Sequence, residues 1–210
     1  MNANLRKNLL KAAVAVAVAA PLFANAESAF TTGAGSPITA SARLDFSITI
    51  PKILFLQVGT GTNMAVNATI NQIAFTVPAA NVGDSSVISA SAGSGDLGNG
   101  TVTARVIGNN GNITFTSTTL GALGNGSGDT ISYSQIATAV ATNTSATALA
   151  HPALADATTT TITLTPASGK VINRDAKWTY TYLNQNVAAP GSYGGVNANN
   201  SRVTYTASMP

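Results

Sequence analysis

The most regular pattern of apolar and polar positions runs from Ile38 to Ile50. Ile38, Ala40, Ala42, Leu44, Phe46, Ile48 and Ile50 fall on one side, and Thr39, Ser41, Arg43, Asp45, Ser47 and Thr49 on the other. A period of two held this long predicts a strand with one buried face. Pro51 removes a ladder donor and bends the chain. Ile53 to Val58 is apolar on both sides and predicts a more deeply buried strand, stopped by Gly59-Thr60-Gly61. Shorter strands are predicted at Ala68 to Val77, Ser86 to Ala92, Thr101 to Ile107, Asn112 to Thr118, Thr130 to Ile136, Thr158 to Thr165, Ala176 to Leu183 and Arg202 to Ser208. Asn109-Asn110-Gly111-Asn112 has the chemistry of a tight hairpin turn. Trp178, Tyr180 and Tyr182 alternate with Lys177, Thr179 and Thr181. They predict a final aromatic hairpin with Arg202 to Ser208, in which Trp178 anchors the core. Thr138 to Ala157 is the least strand-like stretch and reads as a loop with a short helical turn. No fixed-period repeat stands out, which argues against a solenoid or propeller. The pattern predicts an all-β fold, an immunoglobulin-like two-sheet antiparallel β-sandwich of about nine or ten short strands.

Composition agrees with this reading. Thr, Ser, Asn, Gly, Ala and Val dominate, and the long helix formers are scarce. There is no cysteine. Disulfides, thiol catalysis and cysteine metal sites are therefore excluded, and stability must come from burial and backbone hydrogen bonds.

The first 26 residues change the picture of charge and location. Arg6, Lys7 and Lys11 precede an apolar run from Ala12 to Phe23, and Ala24-Asn25-Ala26 follows as a small-x-small cleavage site. This is the layout of a cleavable secretory signal, with the cut set by Ala24 and Ala26. The apolar run is shorter than the ~20 residues a membrane helix needs. The expected organisation is a signal peptide at 1–26, a flexible leader at 27–37 carrying Gly33, Gly35 and Pro37, and one sandwich domain at 38–210. The expected location is secreted: periplasm, cell surface or extracellular space. The signal holds three of the ten basic residues, and the other seven balance the seven acidic ones. A neutral mature chain offers no basic cluster for nucleic acid or an acidic membrane. Its weakly charged surface also favours self-association.

Candidate chemistry is thin. Gly93-Ser94-Gly95-Asp96-Leu97-Gly98 matches GxGxxG by letter, but a strand follows it where a dinucleotide site needs a helix. Gly-Ser-Gly-Asp occurs at Gly93 to Asp96 and at Gly126 to Asp129. Each offers one carboxylate where Ca²⁺ wants several, so both read as turns. His151, the one histidine, lies in Ala-His-Pro without a nucleophile elbow and reads as a surface-loop residue. The seven carboxylates form no local pair of the kind glycosidases use. Asn67, Asn112, Asn125, Asn143 and Asn199 fit the glycosylation rule, as chance allows in so Asn-, Ser- and Thr-rich a chain. Lys52, Lys170 and Lys177 are candidates for isopeptide bonds to Asn. Thr158-Thr159-Thr160-Thr161 has the composition of threonine-rich ice binders, without a repeat that would lay it out as a flat array. No catalytic residue, metal ligand or cofactor is expected.

The alternating start, Ala42 to Ile50, and the closing Pro190-Gly191-Ser192-Tyr193 with Val203-Thr204-Tyr205-Thr206 resemble secreted bacterial β-sandwich proteins of the pilin and spore-coat-U-like kind. The resemblance implies a structural subunit assembled by strand donation, in which an N-terminal strand completes the sheet of the next subunit. Ile38, Ala40, Ala42, Leu44, Phe46, Ile48 and Ile50 would then form the donated face. It also implies partners: copies of the chain, other surface subunits, or an export chaperone. The absence of cysteine departs from fimbrial subunits, which usually carry a disulfide. Equally, Ile38 to Ile50 can be the first strand of a self-complete sandwich.

Two functional classes follow. One is an exported structural or adhesive surface protein. The other is a monomeric secreted binding module for a carbohydrate or surface ligand, using Tyr133, Tyr193 or loop Asn residues. An exported hydrolase lacks a visible nucleophile–base pair, so the chain is not expected to be an enzyme.

Overall fold

Among the described residues, strands and two short 3-10 turns, Ala79–Asn81 and Tyr133–Gln135, make up the regular structure. The computed structural model describes residues 28–210. The signal segment, with Ala24 and Ala26, and the first leader residue, Glu27, lie outside the described residues. The chain divides between Ile50 and Pro51. The named strands all follow Pro51: β1 (Leu54–Val58), β2 (Ile88–Ser89), β3 (Thr101–Gly108), β4 (Ile113–Thr118), β5 (Leu123–Gly124), β6 (Thr130–Ile131), β7 (Ile136–Ala141), β8 (Thr159–Leu164), β9 (Ile172–Tyr182) and β10 (Thr204–Ser208). No helix among the described residues is long and apolar enough to cross a membrane.

The strands form two main antiparallel sheets. The larger has β3 between β1 and β9, with β2 and β7 also paired to β9. The smaller has β4 between β10 and β8. A two-stranded ribbon, β5–β6, stands apart. The fold is therefore an all-β sandwich of ten strands, in line with the alternation in the sequence.

Alternation explains how the layers meet. Val102, Ala104 and Val106 of β3 face inward, as do Ala176, Trp178 and Tyr180 of β9. From the other sheet Ile113 and Phe115 of β4 and Leu164 of β8 join the same core. Tyr205 and Ala207 of β10 pack against it, half-buried. Trp178 is 0 % exposed, and its Nε1–H donates to the Leu149 carbonyl at 2.8 Å. Phe115 stacks on it with ring centroids 6.1 Å apart. Truncating a buried aromatic of this kind costs about 3–5 kcal/mol, so Trp178 is the anchor its position in the pattern predicts.

Several expectations fail. Ile53 to Val58 gives an edge strand with no buried residue rather than a deeply buried one, because only β3 pairs with it. Ala68 to Val77 forms no strand, only the isolated bridge Phe75↔Ala90. Thr130 to Ile136 is a strand only at Thr130–Ile131, before the 3-10 turn at Tyr133–Gln135. Residues 38–50 belong to no ladder, and neither side of the alternation is buried. The Asn109-Asn110-Gly111-Asn112 turn exists, with Gly111 at φ +101°. It carries the chain from β3 in one sheet to β4 in the other, so the two strands do not form a hairpin. The aromatic hairpin also dissolves: β9 and β10 lie in different sheets, and their rings meet across the core, Trp178 to Tyr205 at 5.5 Å. Finally, Ile136–Ala141 is a strand, paired with β9 from Ile136↔Tyr182 to Ala141↔Lys177. Its alanines and threonine hid a half-covered strand inside a stretch that reads as loop.

Candidate functional site

Residues 38–50 carry the candidate assembly face. Leu44 is 75 % exposed, Phe46 and Ile48 are each 85 % exposed, and Ile38 and Ile50 are exposed as well. Ala40 and Ala42 share that state. Burying one such large apolar side chain is worth about 1.5–3 kcal/mol. The segment thus combines strand-like alternation with apolar side chains that nothing covers. Contiguous exposed apolar surface of this sort marks an interaction site.

Within Pro51–Pro210, each main sheet ends in strands paired on one side only. These are β1, β2 and β7 in the larger sheet and β8 and β10 in the smaller. Such edges present free N–H and C=O groups and act as templates for another strand. Beside β1 lies an open groove of ≈ 570 Å³ between residues 52–56 and 64–67, with Phe55, Leu56, Met64 and Val66 among its walls.

His151 is not a surface-loop residue. Its ring sits edge-on to Trp178, with centroids 4.6 Å apart, and 5.5 Å from the rings of Tyr180 and Tyr205. Its Nε2 is 2.7 Å from the Tyr205 hydroxyl and 3.1 Å from that of Tyr180, and the two hydroxyls are 3.0 Å apart. Burial lowers the imidazole from its ordinary 6.5 to about 4, so it is neutral at neutral pH. Burial also raises Tyr180 to about 12 and holds Tyr205 well above its ordinary value. These are poor credentials for acid–base catalysis near neutrality, where a useful group titrates close to the working pH. The triad instead ties β9, β10 and the segment before β8 together. Sequence gives no signal for it, because its members lie 25 to 54 residues apart.

Asp96, Asp129, Asp156 and Asp175 accept hydrogen bonds that hold neighbouring chain segments in place. Asp175 is on the outer face of β9, yet it is buried because residues 143–145 close over it. Its carboxylate accepts from the N–H groups of Thr144 (3.0 Å) and Ser145 (2.7 Å), from the Thr144 hydroxyl and from Asn143 Nδ2. Burial works to raise its pKa, but the hydrogen bonds from Thr144 and Ser145 outweigh it and hold the group well below the usual carboxylate range. Asp96 accepts from the Thr103 N–H at 2.9 Å. Asp129 is bound by Asn125 Nδ2 at 2.8 Å. Asp156 accepts from the Tyr133 N–H at 2.8 Å. Among the described residues no group of three His, Cys, Asp or Glu could hold a metal.

The GxGxxG match is a compact turn leading into β3. Gly95 takes φ +81°, and a Cβ there would lie 2.2 Å from the Thr101 carbonyl oxygen. Tyr133, a candidate sugar platform, is buried, and its hydroxyl donates to the Asn200 carbonyl. Tyr193 is half-buried and donates to the Ala189 carbonyl. Lys52 directs its ammonium to the Pro210 carbonyl at 2.6 Å rather than to an Asn side chain. The Pro190–Tyr193 turn region leads to the β5–β6 ribbon, where Gly194 N–H donates to the Gly124 carbonyl.

No protein family, no curated protein and no solved structure matches the chain.

Proposed function

We propose that the chain is an exported structural or adhesive surface protein whose copies join by strand donation, with residues 38–50 of one copy completing a sheet edge of the next. One observation carries this reading. A segment with strand alternation, and with Leu44, Phe46 and Ile48 almost fully exposed, stands outside every ladder. Strand addition would satisfy its backbone through main-chain hydrogen bonds and seat its alternate side chains. The unpaired edges of the sandwich supply the complementary surface. The secretory layout of the first 26 residues supports delivery to the cell exterior. A monomeric carbohydrate-binding module has less support, since Tyr133 is buried and Tyr193 half-buried.

The test is multimer formation by the purified protein, followed by size-exclusion chromatography and electron microscopy, beside a Leu44→Asp/Phe46→Asp double variant. The wild type should form multimers that survive mild denaturant. The double variant should stay monomeric while its near-ultraviolet circular dichroism, which reports the buried Trp178, is unchanged. A wild type that remains monomeric at high concentration, or a double variant that assembles equally well, refutes the proposal.

A further inference from the structure

The outer face of the small sheet is a two-dimensional lattice of hydroxyls, which the ladder registers lay out row by row. Thr204 of β10, Thr118 of β4 and Thr159 of β8 stand side by side. Two residues along, Thr206, Thr116 and Thr161 form a second row. Ser208, Thr114 and Thr163 form a third. These positions alternate with the inward-facing Phe115, Ser117, Ile162 and Tyr205, so all nine point away from the core. Seven of the nine are exposed; Thr116 and Thr118, flanked on both sides in the central strand, are half-buried.

Geometry fixes the mesh. Neighbouring strands lie about 4.8 Å apart, and alternate residues along a strand about 6.7 Å apart. Threonine is stiff at χ1, so the eight threonine positions each offer a hydroxyl and a methyl in few orientations, and Ser208 offers a hydroxyl alone. Cross-strand contacts hold some rows further: the Thr118 and Thr159 hydroxyls are 2.8 Å apart, and Thr116 donates to the Thr206 carbonyl at 3.4 Å.

The chemistry of the face selects its partner. None of the nine residues is charged, so the lattice is matched in charge to a neutral surface and not to nucleic acid or an acidic lipid headgroup. None is aromatic, so it lacks the flat faces that stack on sugar rings. What remains is a mesh of hydroxyls and methyls in register across three strands, with mean repeats of about 4.8 by about 6.7 Å, near those of the oxygen atoms on a prism face of hexagonal ice. We propose that this face of the β10–β4–β8 sheet binds ice. The hydroxyls take the place of lattice water, and the methyls keep disordered water out of the contact. The run Thr158–Thr161 contributes two residues, Thr159 and Thr161, while Thr160 turns inward to Ser117. The array that the one-dimensional sequence lacks is assembled from three strands.

The test grows polycrystalline ice slowly in a solution of the purified full chain and measures the share of protein taken into the ice, together with thermal hysteresis. Thr161→Tyr and Thr206→Tyr place bulk on the lattice at exposed positions. Thr142→Tyr, an exposed residue beyond β7, is the control. Near-ultraviolet circular dichroism checks that each variant keeps its core. The wild type and Thr142→Tyr should partition into ice, and both lattice variants should lose partitioning and hysteresis several-fold. Exclusion of the wild type from ice overturns the proposal, as does equal partitioning of all four proteins. Retention on crystalline chitin or cellulose that the lattice variants lose, without uptake into ice, overturns it in favour of a polysaccharide surface. The readout is independent of assembly: the Leu44→Asp/Phe46→Asp variant should still enter ice as a monomer.

Discussion

Acidification below neutrality should loosen the sandwich through His151. Its imidazole is neutral and packed, half-buried, against Trp178, Tyr180 and Tyr205, and none of these offers a negative charge to a protonated ring. The folded-state value of about 4 lies below the 6.5 expected of an unfolded chain. The unfolded state therefore binds the proton first as pH falls. Stability is fully present above pH 6.5 and is lost between 6.5 and 4, with no further loss from this group below 4. Linkage sets the loss at about 2 kcal/mol by pH 5 and about 3 kcal/mol by pH 4. Asp175 acts in a separate window. Its depressed carboxylate contributes stability that is present above the unfolded value of 3.8 and lost only as pH falls below it. The assay is urea unfolding followed by tryptophan fluorescence at pH 7, 6 and 5, for the wild type and for His151→Gln. Glutamine keeps polar atoms near the two tyrosine hydroxyls and cannot titrate. The wild type should lose about 2 kcal/mol across this range, and the variant should lose far less. Equal pH slopes in the two proteins, or a flat wild type, would refute the burial argument.

Two further outcomes test the local architecture. Asp175→Asn keeps the shape but cannot accept every donor that closes residues 143–145. It should cost about 2–3 kcal/mol and speed hydrogen exchange at the Thr144 and Ser145 amides, while the amides of β3 stay protected. Gly95→Ala places a Cβ 2.2 Å from the Thr101 carbonyl oxygen at φ +81°. It should cost at least ~1–3 kcal/mol in thermal unfolding, whereas Gly128→Ala, with open space at its Cβ but a similar positive φ, should cost less.

The strands that were legible in the sequence are those whose two faces meet different solvents. β3, β4, β8 and β10 sit within a residue or two of their predicted bounds, because each alternates a covered face with an open one; β1, apolar on both faces, is bounded instead by Pro51 and Gly59. Pairing was not legible. An Asn-Gly turn has the same chemistry whether the chain returns within one sheet or crosses to the other, so the β3–β4 link reads as a hairpin and is not one. Alternation in residues 38–50 says that one face can be buried, and nothing in it names the partner strand. β7 hid because Ala137, Ala139 and Ala141 are too small to mark a face. His151 and the threonine lattice are products of register and layer packing, which bring together side chains that no local window contains.

The ladder at the centre of the larger sheet joins residues 64 to 78 positions apart, from Gly108↔Ile172 to Thr101↔Thr179. Nothing local can form it, and the loop-closure entropy must be met before any of its hydrogen bonds are gained. Folding dominated by such distant pairings runs in milliseconds to seconds rather than microseconds. For that interval the chain exposes the Val- and Thr-rich strands β3, β4 and β8 with every edge unpaired, a state prone to aggregation. The arrangement that gives the finished sandwich its order also makes the nascent chain slow, so its yield should depend on how crowded its surroundings are while it folds.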